Sequence, residues 1–299
     1  MPDNLLVNVF NVDAALAVAR AKGLFASQGL DVDVMVTPNS TDQMRGLSQG
    51  TWPIVSTAFD NVLGWSRREG AEIVAVAQVA QGITLPVYVR PEIQNWEDLR
   101  GKPMAVDAVD TAYALVLRRV LLSHGLEMDR GDYQLIALGS TGPRLDSMTR
   151  GETFAGILNP PWDKKAEAAG HKRFADHREV LPDYPGGVFA VRRNWGGENP
   201  DLLIKYLSIW HEALGWALAE KNRKEAIAVL SEAEKIEPEA AAIRLRLLPK
   251  SGQLNLAGLQ TVLNLRVQFG LTPPKGKDLT GYYDASFYNA ALSRQDGLE

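Results

Sequence analysis

Short apolar segments alternate with helical segments along most of this chain, from residue 5 to residue 170. Glycine follows several of the helical segments, as where Ala14–Lys22 ends before Gly23. Strands that alternate with helices usually pair in parallel through right-handed crossovers, and ligands bind beyond their carboxyl ends. The pattern therefore predicts an α/β fold whose polar loops share one edge. The predicted strands of this series are 5–10, 30–36, 54–56, 73–79, 103–106, 133–138 and 154–158.

One joint of this series, within Trp96–Gly125, shows how such a loop could bind a ligand. A tight turn leads into the apolar segment 103–106, and a long helix then runs to Gly125. Asp107, Asp110 or Thr111 can cap that helix. The first N–H groups of a helix are unpaired and attract anionic or polar groups. The alternative is a purely structural joint, since most such joints bind nothing.

Two similar strands, LPVYVR at 85–90 and VFAVR at 188–192, enclose the second set of strands and helices. We interpret them as two crossings between lobes. This predicts a discontinuous first lobe, 1–88 plus 188–299, and an inserted second lobe, 89–187. From Asn199 onward the pattern is almost entirely helical, and we expect these helices to support the first lobe.

Composition excludes several classes of protein. The net charge of −4 does not indicate a basic surface that would bind nucleic acid or an anionic membrane. Cysteine is absent, which excludes disulfides and thiolate groups. No apolar run approaches the length of a membrane span. The chain begins without a basic and apolar leader, so we expect either a cytoplasmic protein or one whose signal peptide has been removed.

Enzyme and metal signatures are missing from the sequence. We find no nucleophile elbow, P-loop, dinucleotide fingerprint or paired-histidine zinc motif. The four histidines have no metal-ligand spacing; His124 ends a helix, while His171 and His177 are expected in a loop. We therefore expect no catalytic residue, no metal and no cofactor.

Five segments in the same order resemble the type II periplasmic substrate-binding proteins of ABC importers. They are ARAKGLF at 19–25, GLDV at 29–32, LSQG at 47–50, WEDLRGK at 96–102 and DASFY at 284–288. The similarity is to the nitrate, sulfonate, taurine and thiamine-precursor group (NMT1/THI5-like and SsuA-like). It implies two lobes joined by a two-strand hinge, closing on a small molecule that passes to a membrane permease. It also implies a periplasmic monomer without enzyme activity.

The resemblance places ligand contacts in the loops that the alternation puts on one edge. Helix N-termini, hydroxyls and amides would orient a polar group there, and aromatic side chains would cover the rest of the ligand. The alternative is that Asn11, Ser40 and Asn61 only cap helices and that Phe59 and Tyr113 pack inside the lobes. The expected ligand residues are Asn11, Val12, Asn39, Ser40, Thr57, Phe59, Asp60, Asn61, Asp107, Thr111, Tyr113, Asn159, Pro160 and Trp162.

The expected ligand is an organic molecule with a flat apolar body and one polar end, such as an aromatic carboxylate or sulfonate. Arg144 is the best cation candidate, and its alternative is a surface position. Asp60 favours a donor partner, so a pyrimidine-like or amine-bearing ligand is the second candidate. A cytoplasmic ligand sensor, or an enzyme related to thiamine-pyrimidine synthesis, is the alternative function on the same fold.

Overall fold

Residues 3–37 and 39–296 are described by a computed structural model, and ten strands run through this part of the chain. Parallel and antiparallel pairing arrange them in two five-stranded sheets, each inside one compact unit. The strands are β1 Asp3–Val9, β2 Leu30–Val36, β3 Ile54–Thr57, β4 Ile73–Gln78, β5 Pro86–Val89, β6 Lys102–Val106, β7 Tyr133–Ala137, β8 Ala155–Ile157, β9 Lys172–Asp176 and β10 Val188–Arg192.

The helices connect these strands, and after β10 the described chain is mainly helical. None of the described helices is long and apolar enough to cross a membrane. The helices are α1 Ala14–Ala21, α2 Leu24–Ser27, α3 Ser40–Gln49, α4 Phe59–Trp65, α5 Ala112–Ser123, α6 Thr141–Arg150, α7 Trp162–Ala168, α8 Arg193–Glu198, α9 Pro200–Leu218, α10 Arg223–Glu234, α11 Pro238–Leu245, α12 Leu256–Gln268 and α13 Ser286–Asp296.

The two sheets repeat one plan. In the first unit the order is β2-β1-β3-β10-β4, with β1 parallel to β2 and β3, and β10 antiparallel to both of its neighbours. In the second unit the order is β7-β6-β8-β5-β9, with β6 parallel to β7 and β8, and β5 antiparallel to both of its neighbours. The carboxyl ends of β1, β2 and β3 therefore share one edge, as do those of β6, β7 and β8. The predicted two-lobed α/β fold is confirmed.

The unit boundaries differ from those predicted at several places. The first unit comprises Met1–Ile83, Pro185–Leu263 and Pro273–Glu299, and the second comprises Thr84–Tyr184 and Asn264–Thr272. β5 pairs only with strands of the second unit, and β10 pairs only with strands of the first. Each of these strands therefore belongs to one sheet and is not itself a crossing between lobes. The chain passes from one unit to the other just before each of them.

The segment 264–272 was expected to support the first lobe, and this was wrong. The Arg118 guanidinium carbon lies 4.1 Å from the centroid of the Phe269 ring, and Arg266 Nη1 donates to the Asp110 carbonyl at 3.2 Å. These contacts hold the segment on the second unit, beside the loop that precedes α5. Helical periodicity alone could not reveal which sheet this part of the chain packs on.

Aromatic packing holds α1 and α9 on the first sheet. Trp210 is fully buried, its ring meets Phe189 edge to face at 5.3 Å, and its Nε1 donates to Asp13 Oδ1 at 3.1 Å. Asp13 also accepts a bond from the Leu16 N–H and so caps α1. One indole therefore links the cap of α1 to the core of this unit. Helix α4 ends at Trp65, and Arg67, two residues later, has a left-handed φ of 69°.

Candidate functional site

The carboxyl ends of β6 and β8 bring together most of the second unit's predicted ligand residues. Thr111 Oγ1 lies 2.5 Å from Asp107 Oδ1 and 3.0 Å from the Ala108 carbonyl oxygen, and it donates its single hydrogen to one of them. Thr111 is the N-cap residue of α5, but its side chain accepts no bond from the first turn. The first N–H groups of α5 are therefore without a side-chain cap and available to a polar ligand group.

Arg144 lies inside the second unit and not on its surface. Its side chain is in the first turn of α6, and the residue is only 1% exposed. Nη1 donates to the Ile157 carbonyl at 2.6 Å, Nη2 donates to Thr141 Oγ1 at 2.8 Å, and Nε makes a longer contact of 3.4 Å with the Ser140 carbonyl. The guanidinium thus ties the end of β8 to the start of α6.

These bonds leave part of the Arg144 guanidinium unused. A guanidinium has five N–H donors, and the three bonds to described residues use three of them. Burial lowers the pKa of Arg144, and the nearby Asp107 and Tyr113 oppose that change by favouring the charged form. Because the usual pKa of arginine lies above 12, the group stays cationic. A buried positive charge with two spare donors is the strongest electrostatic feature of this edge.

Tyr113 forms one wall beside that charge. Its ring centroid lies 5.3 Å from the Arg144 guanidinium carbon, within cation–π range. Burial raises the pKa of Tyr113, and the positive charge of Arg144 partly opposes the increase. The side chain is half-buried, so it both packs against the unit and contributes surface.

The segment Asn159–Trp162 continues the same polar network. Asn159 Oδ1 accepts from Thr141 Oγ1 at 2.9 Å, so the chain of bonds runs from Arg144 through Thr141 to Asn159. Pro160, which is exposed, precedes Pro161 through a cis peptide bond. The structure therefore gathers Asp107, Thr111, Tyr113, Arg144 and Asn159 at one sheet edge.

The side chain of Trp162 contributes to the packing of the second unit. It is half-buried and packs against a core cluster that includes Leu145 and Met148. A Cβ added at Gly142 would come within 2.9 Å of its ring, and Lys165 Nζ lies 4.1 Å from the ring centroid. The absence of a side chain at Gly142 is therefore what lets the indole lie against α6.

In the first unit, the residues after β1 are divided between the surface and the interior. Asn11 is exposed. Val12 is buried, its N–H donates to Glu234 Oε1 at 2.7 Å, and its carbonyl accepts from Arg244 Nη2 at 2.9 Å. Glu234 and Arg244 also form a salt bridge of 2.8 Å with each other. Both backbone groups of Val12 are thus already hydrogen-bonded to an internal ion pair.

At the start of α3 the capping residue is Asn39 and not Ser40, so the capping alternative given for Ser40 was wrong. Asn39 Oδ1 accepts from the Asp42 N–H at 2.8 Å, and Asn39 Nδ2 donates to the Asp42 carboxylate at 2.8 Å. Asn39 is therefore engaged as the N-cap. Ser40, the first residue of α3, is half-buried, and its hydroxyl forms no hydrogen bond with any described residue. The Ser40 hydroxyl remains the candidate contact at this helix end.

The residues after β3 lie mostly inside the protein. Thr57 is buried, and its Oγ1 accepts from Asn61 Nδ2 at 2.9 Å. Phe59 is fully buried, which corresponds to the packing alternative and not to a ligand wall. Asp60 is 3% exposed and lies in the first turn of α4, where a carboxylate is favoured by the helix dipole.

A buried polar pair between β1 and α3 was not predicted. Gln43 Nε2 donates to Asn8 Oδ1 at 3.0 Å and to the Ser56 carbonyl at 3.2 Å, and both side chains are at most 1% exposed. Asn8 Nδ2 and Gln43 Oε1 have no hydrogen-bond partner within the described chain. The available signal was an asparagine inside the apolar run LLVNVF, since a buried amide requires partners.

The histidines belong to no metal-holding cluster in the described part of the chain. Across 3–37 and 39–296, no group of three or more histidine, aspartate or glutamate residues could hold a metal ion. His124 stacks on Trp96 at 3.9 Å and ends α5, as predicted. His171 lies in the loop between α7 and β9, as expected, whereas His177 begins a short 3-10 turn; both side chains are buried.

Comparison with known proteins agrees with this architecture. The model of the NMT1-like family matches residues 8–231. The Brucella abortus protein BAB2_1146, which is named as a binding protein, is 26% identical over 291 residues, covering 92% of this chain and 87% of its own length.

Two solved structures share the fold at low sequence identity. The alkanesulfonate-binding protein SsuA of Xanthomonas axonopodis, bound to MOPS, aligns with a TM-score of 0.75 and 18% identity over 95% of this chain and 99% of its own. The periplasmic nitrate-binding protein NrtA of Synechocystis aligns with a TM-score of 0.79 and 14% identity over 98% and 89%. At these identities the likeness establishes the fold alone.

Proposed function

The chain belongs to the NMT1-like family, and from this premise we propose that it is the solute-binding component of an ABC importer. It captures a small organic molecule and passes it to a membrane permease. The names of BAB2_1146, SsuA and NrtA, all binding proteins, support this proposal over an enzyme on the same fold. The periplasmic location in the name of NrtA supports the periplasm as the working compartment.

The ligand we propose is an anion with an aromatic or other flat apolar body, such as an aromatic carboxylate or sulfonate. The observation that carries this proposal is the buried guanidinium of Arg144 with two N–H donors unused by described residues. A carboxylate or sulfonate offers the paired oxygens that such donors bind best. The uncapped start of α5 adds a second source of N–H groups beside it.

The apolar part of the ligand would contact Tyr113 and the exposed side of Trp162. Aromatic walls of this kind bind planar organic groups, whereas nitrate would need only a small site rich in donors. In the first unit, taken by itself, Ser40 stays a predicted ligand residue, because its hydroxyl forms no hydrogen bond with any described residue. Val12 and Phe59 are omitted from this proposed set because their groups are engaged or buried inside the protein.

An amine-bearing or pyrimidine-like ligand is the second candidate, and one observation favours it. Asp107 lies close enough to Arg144 to favour its charged form, so it offsets part of the positive charge. A ligand that carried a donor as well as an anionic end would satisfy both residues.

Mass spectrometry of any small molecule released on denaturation of the purified protein would test these proposals directly. A thermal-shift panel of aromatic acids, alkyl sulfonates, inorganic anions and aminopyrimidines would complement it. We expect aromatic carboxylates or sulfonates to stabilise the protein most, because bound ligand favours the folded state. Stabilisation by nitrate or bicarbonate alone would refute the aromatic ligand, and stabilisation by aminopyrimidines alone would favour the second candidate.

A further inference from the structure

A surface recess, separate from the loops described above, lies in the first unit between the end of α9, the start of α10 and the end of α11. Its volume is about 210 Å³, far more than one water molecule needs. Ala217, Leu245 and Leu248 give it an apolar floor. Arg223, Arg246 and Lys250 line it as well.

The three cations of this recess have no protein counter-ion. None of their side chains forms a salt bridge or hydrogen bond with any residue of 3–37 or 39–296, whereas the neighbouring Arg244 pairs with Glu234 at 2.8 Å. Glu220 is the one carboxylate on the wall. Three positive charges and one negative charge thus converge on a chain whose net charge is −4. Such a concentration attracts a multiply charged anion.

The walls that position these cations are held by hydrogen bonds. Gln81 follows β4, its N–H donates to the Leu247 carbonyl at 2.9 Å, and its Nε2 donates to the Arg246 carbonyl at 3.0 Å. On the opposite side, Asn222 Nδ2 donates to the Trp216 carbonyl at 2.9 Å and fixes the turn between α9 and α10. The recess is therefore a feature of the folded unit and not of a loose loop.

The start of α10 adds to the positive potential. Arg223 is the first residue of this 12-residue helix, and the side chain of Asn222 does not cap it. The helix dipole places a partial positive charge at this end, while the Arg223 N–H itself donates to the Glu220 carbonyl.

We propose that this recess binds a phosphate group, carried either by a soluble phosphate monoester or by a lipid headgroup. Arg223 and Arg246 each present paired donors that fit phosphate oxygens, and Lys250 supplies a compact third charge. A carboxylate has too few oxygens and too little charge to satisfy all three cations. The apolar floor takes the first carbons attached to the phosphate.

The test compares the full chain with a double variant, Arg223→Ser with Arg246→Ser. The matched control is Lys221→Ser with Lys224→Ser, which removes the same charge from two exposed residues near the start of α10 that do not line the recess. Calorimetry with inorganic phosphate and with glycerol 3-phosphate measures the soluble source. Co-sedimentation with phosphatidylcholine vesicles, with and without phosphatidic acid, measures the lipid source. Circular dichroism establishes that each variant is folded.

We expect binding in at least one arm, weakened about tenfold or more by the double arginine variant and unchanged by the lysine control. Binding should also weaken as NaCl is raised, because exposed charges are screened. Binding in the calorimetric arm identifies a soluble monoester, and binding only to vesicles that contain phosphatidic acid identifies a headgroup. No binding in either arm at millimolar phosphate, or equal binding by the arginine variant, would overturn the proposal.

Discussion

Replacing Arg144 with lysine tests both the architecture of the second unit and the proposed ligand. The bonds from Nη1 to the Ile157 carbonyl and from Nη2 to Thr141 Oγ1, at 2.6 and 2.8 Å, are short and charge-assisted. Each such bond contributes about 1.5–3 kcal/mol. Removing both, as in Arg144→Met, would cost about 3–6 kcal/mol, a large fraction of the stability of a typical domain.

Arg144→Lys keeps the charge but replaces the two donor nitrogens Nη1 and Nη2 with one, so we expect it to keep only one of those two bonds. We expect it to fold and to lose about 1.5–3 kcal/mol of unfolding free energy. The loss of paired N–H donors should also weaken binding of the best aromatic carboxylate or sulfonate roughly tenfold to a hundredfold. Urea denaturation measures the first effect, and isothermal titration calorimetry measures the second.

Arg150→Lys is the matched control for this experiment. Arg150 lies on the same helix, but it is exposed and its partner is Glu152 at 2.8 Å. An exposed pair contributes little, so neither stability nor affinity should change noticeably. If folded Arg144→Lys bound the ligand as tightly as the unchanged protein, the guanidinium would not be part of the ligand site. If its stability were also unchanged, the reasoning about its buried bonds would be refuted.

Three further outcomes are expected. Trp162→Ala should weaken ligand binding by about 2 kcal/mol and also lower the melting temperature, because the indole packs on α6. Calorimetry measures the affinity and thermal unfolding measures the stability. An unchanged melting temperature would show that this packing does not stabilise the unit. Trp210→Ala should lower the free energy of unfolding, measured with urea, by about 3–5 kcal/mol, and the folded variant should keep its ligand affinity. A smaller loss of unfolding free energy would contradict the position of Trp210 in the core. Hydrogen bonds from Lys275 and Arg67 lower the pKa of Glu72 to about 2, so its stabilisation is present above the usual value of 4.5 and is lost as pH falls toward 2. Glu72→Gln should therefore reduce the change in unfolding free energy over this pH range by about 1 kcal/mol or less. An unchanged dependence of stability on pH would contradict the lowered pKa of Glu72.

Local patterns in the sequence determined many of the strands and helices, and with them the position of several candidate site residues of the second unit. Apolar runs and helix-ending glycines placed β2 at Leu30–Val36 and β10 at Val188–Arg192, as observed. The rule that parallel strands share a carboxyl edge also predicted that Asp107 and Asn159 would lie at one edge. These features follow from neighbouring residues and from chain connectivity, so a single sequence contains them.

Other features were decided by contacts between distant parts of the chain. β5 and β10 reverse direction inside their sheets, and 264–272 packs on the second unit. Val12 is bound by Glu234, 222 residues later, and the burial of Phe59 and Arg144 likewise depends on surrounding elements. Periodicity shows which face of a strand or helix is apolar but not which element covers it. The sequence pattern around a polar loop residue is therefore the same whether the residue contacts a ligand or forms hydrogen bonds within its own protein. Only the tertiary structure distinguishes these two cases.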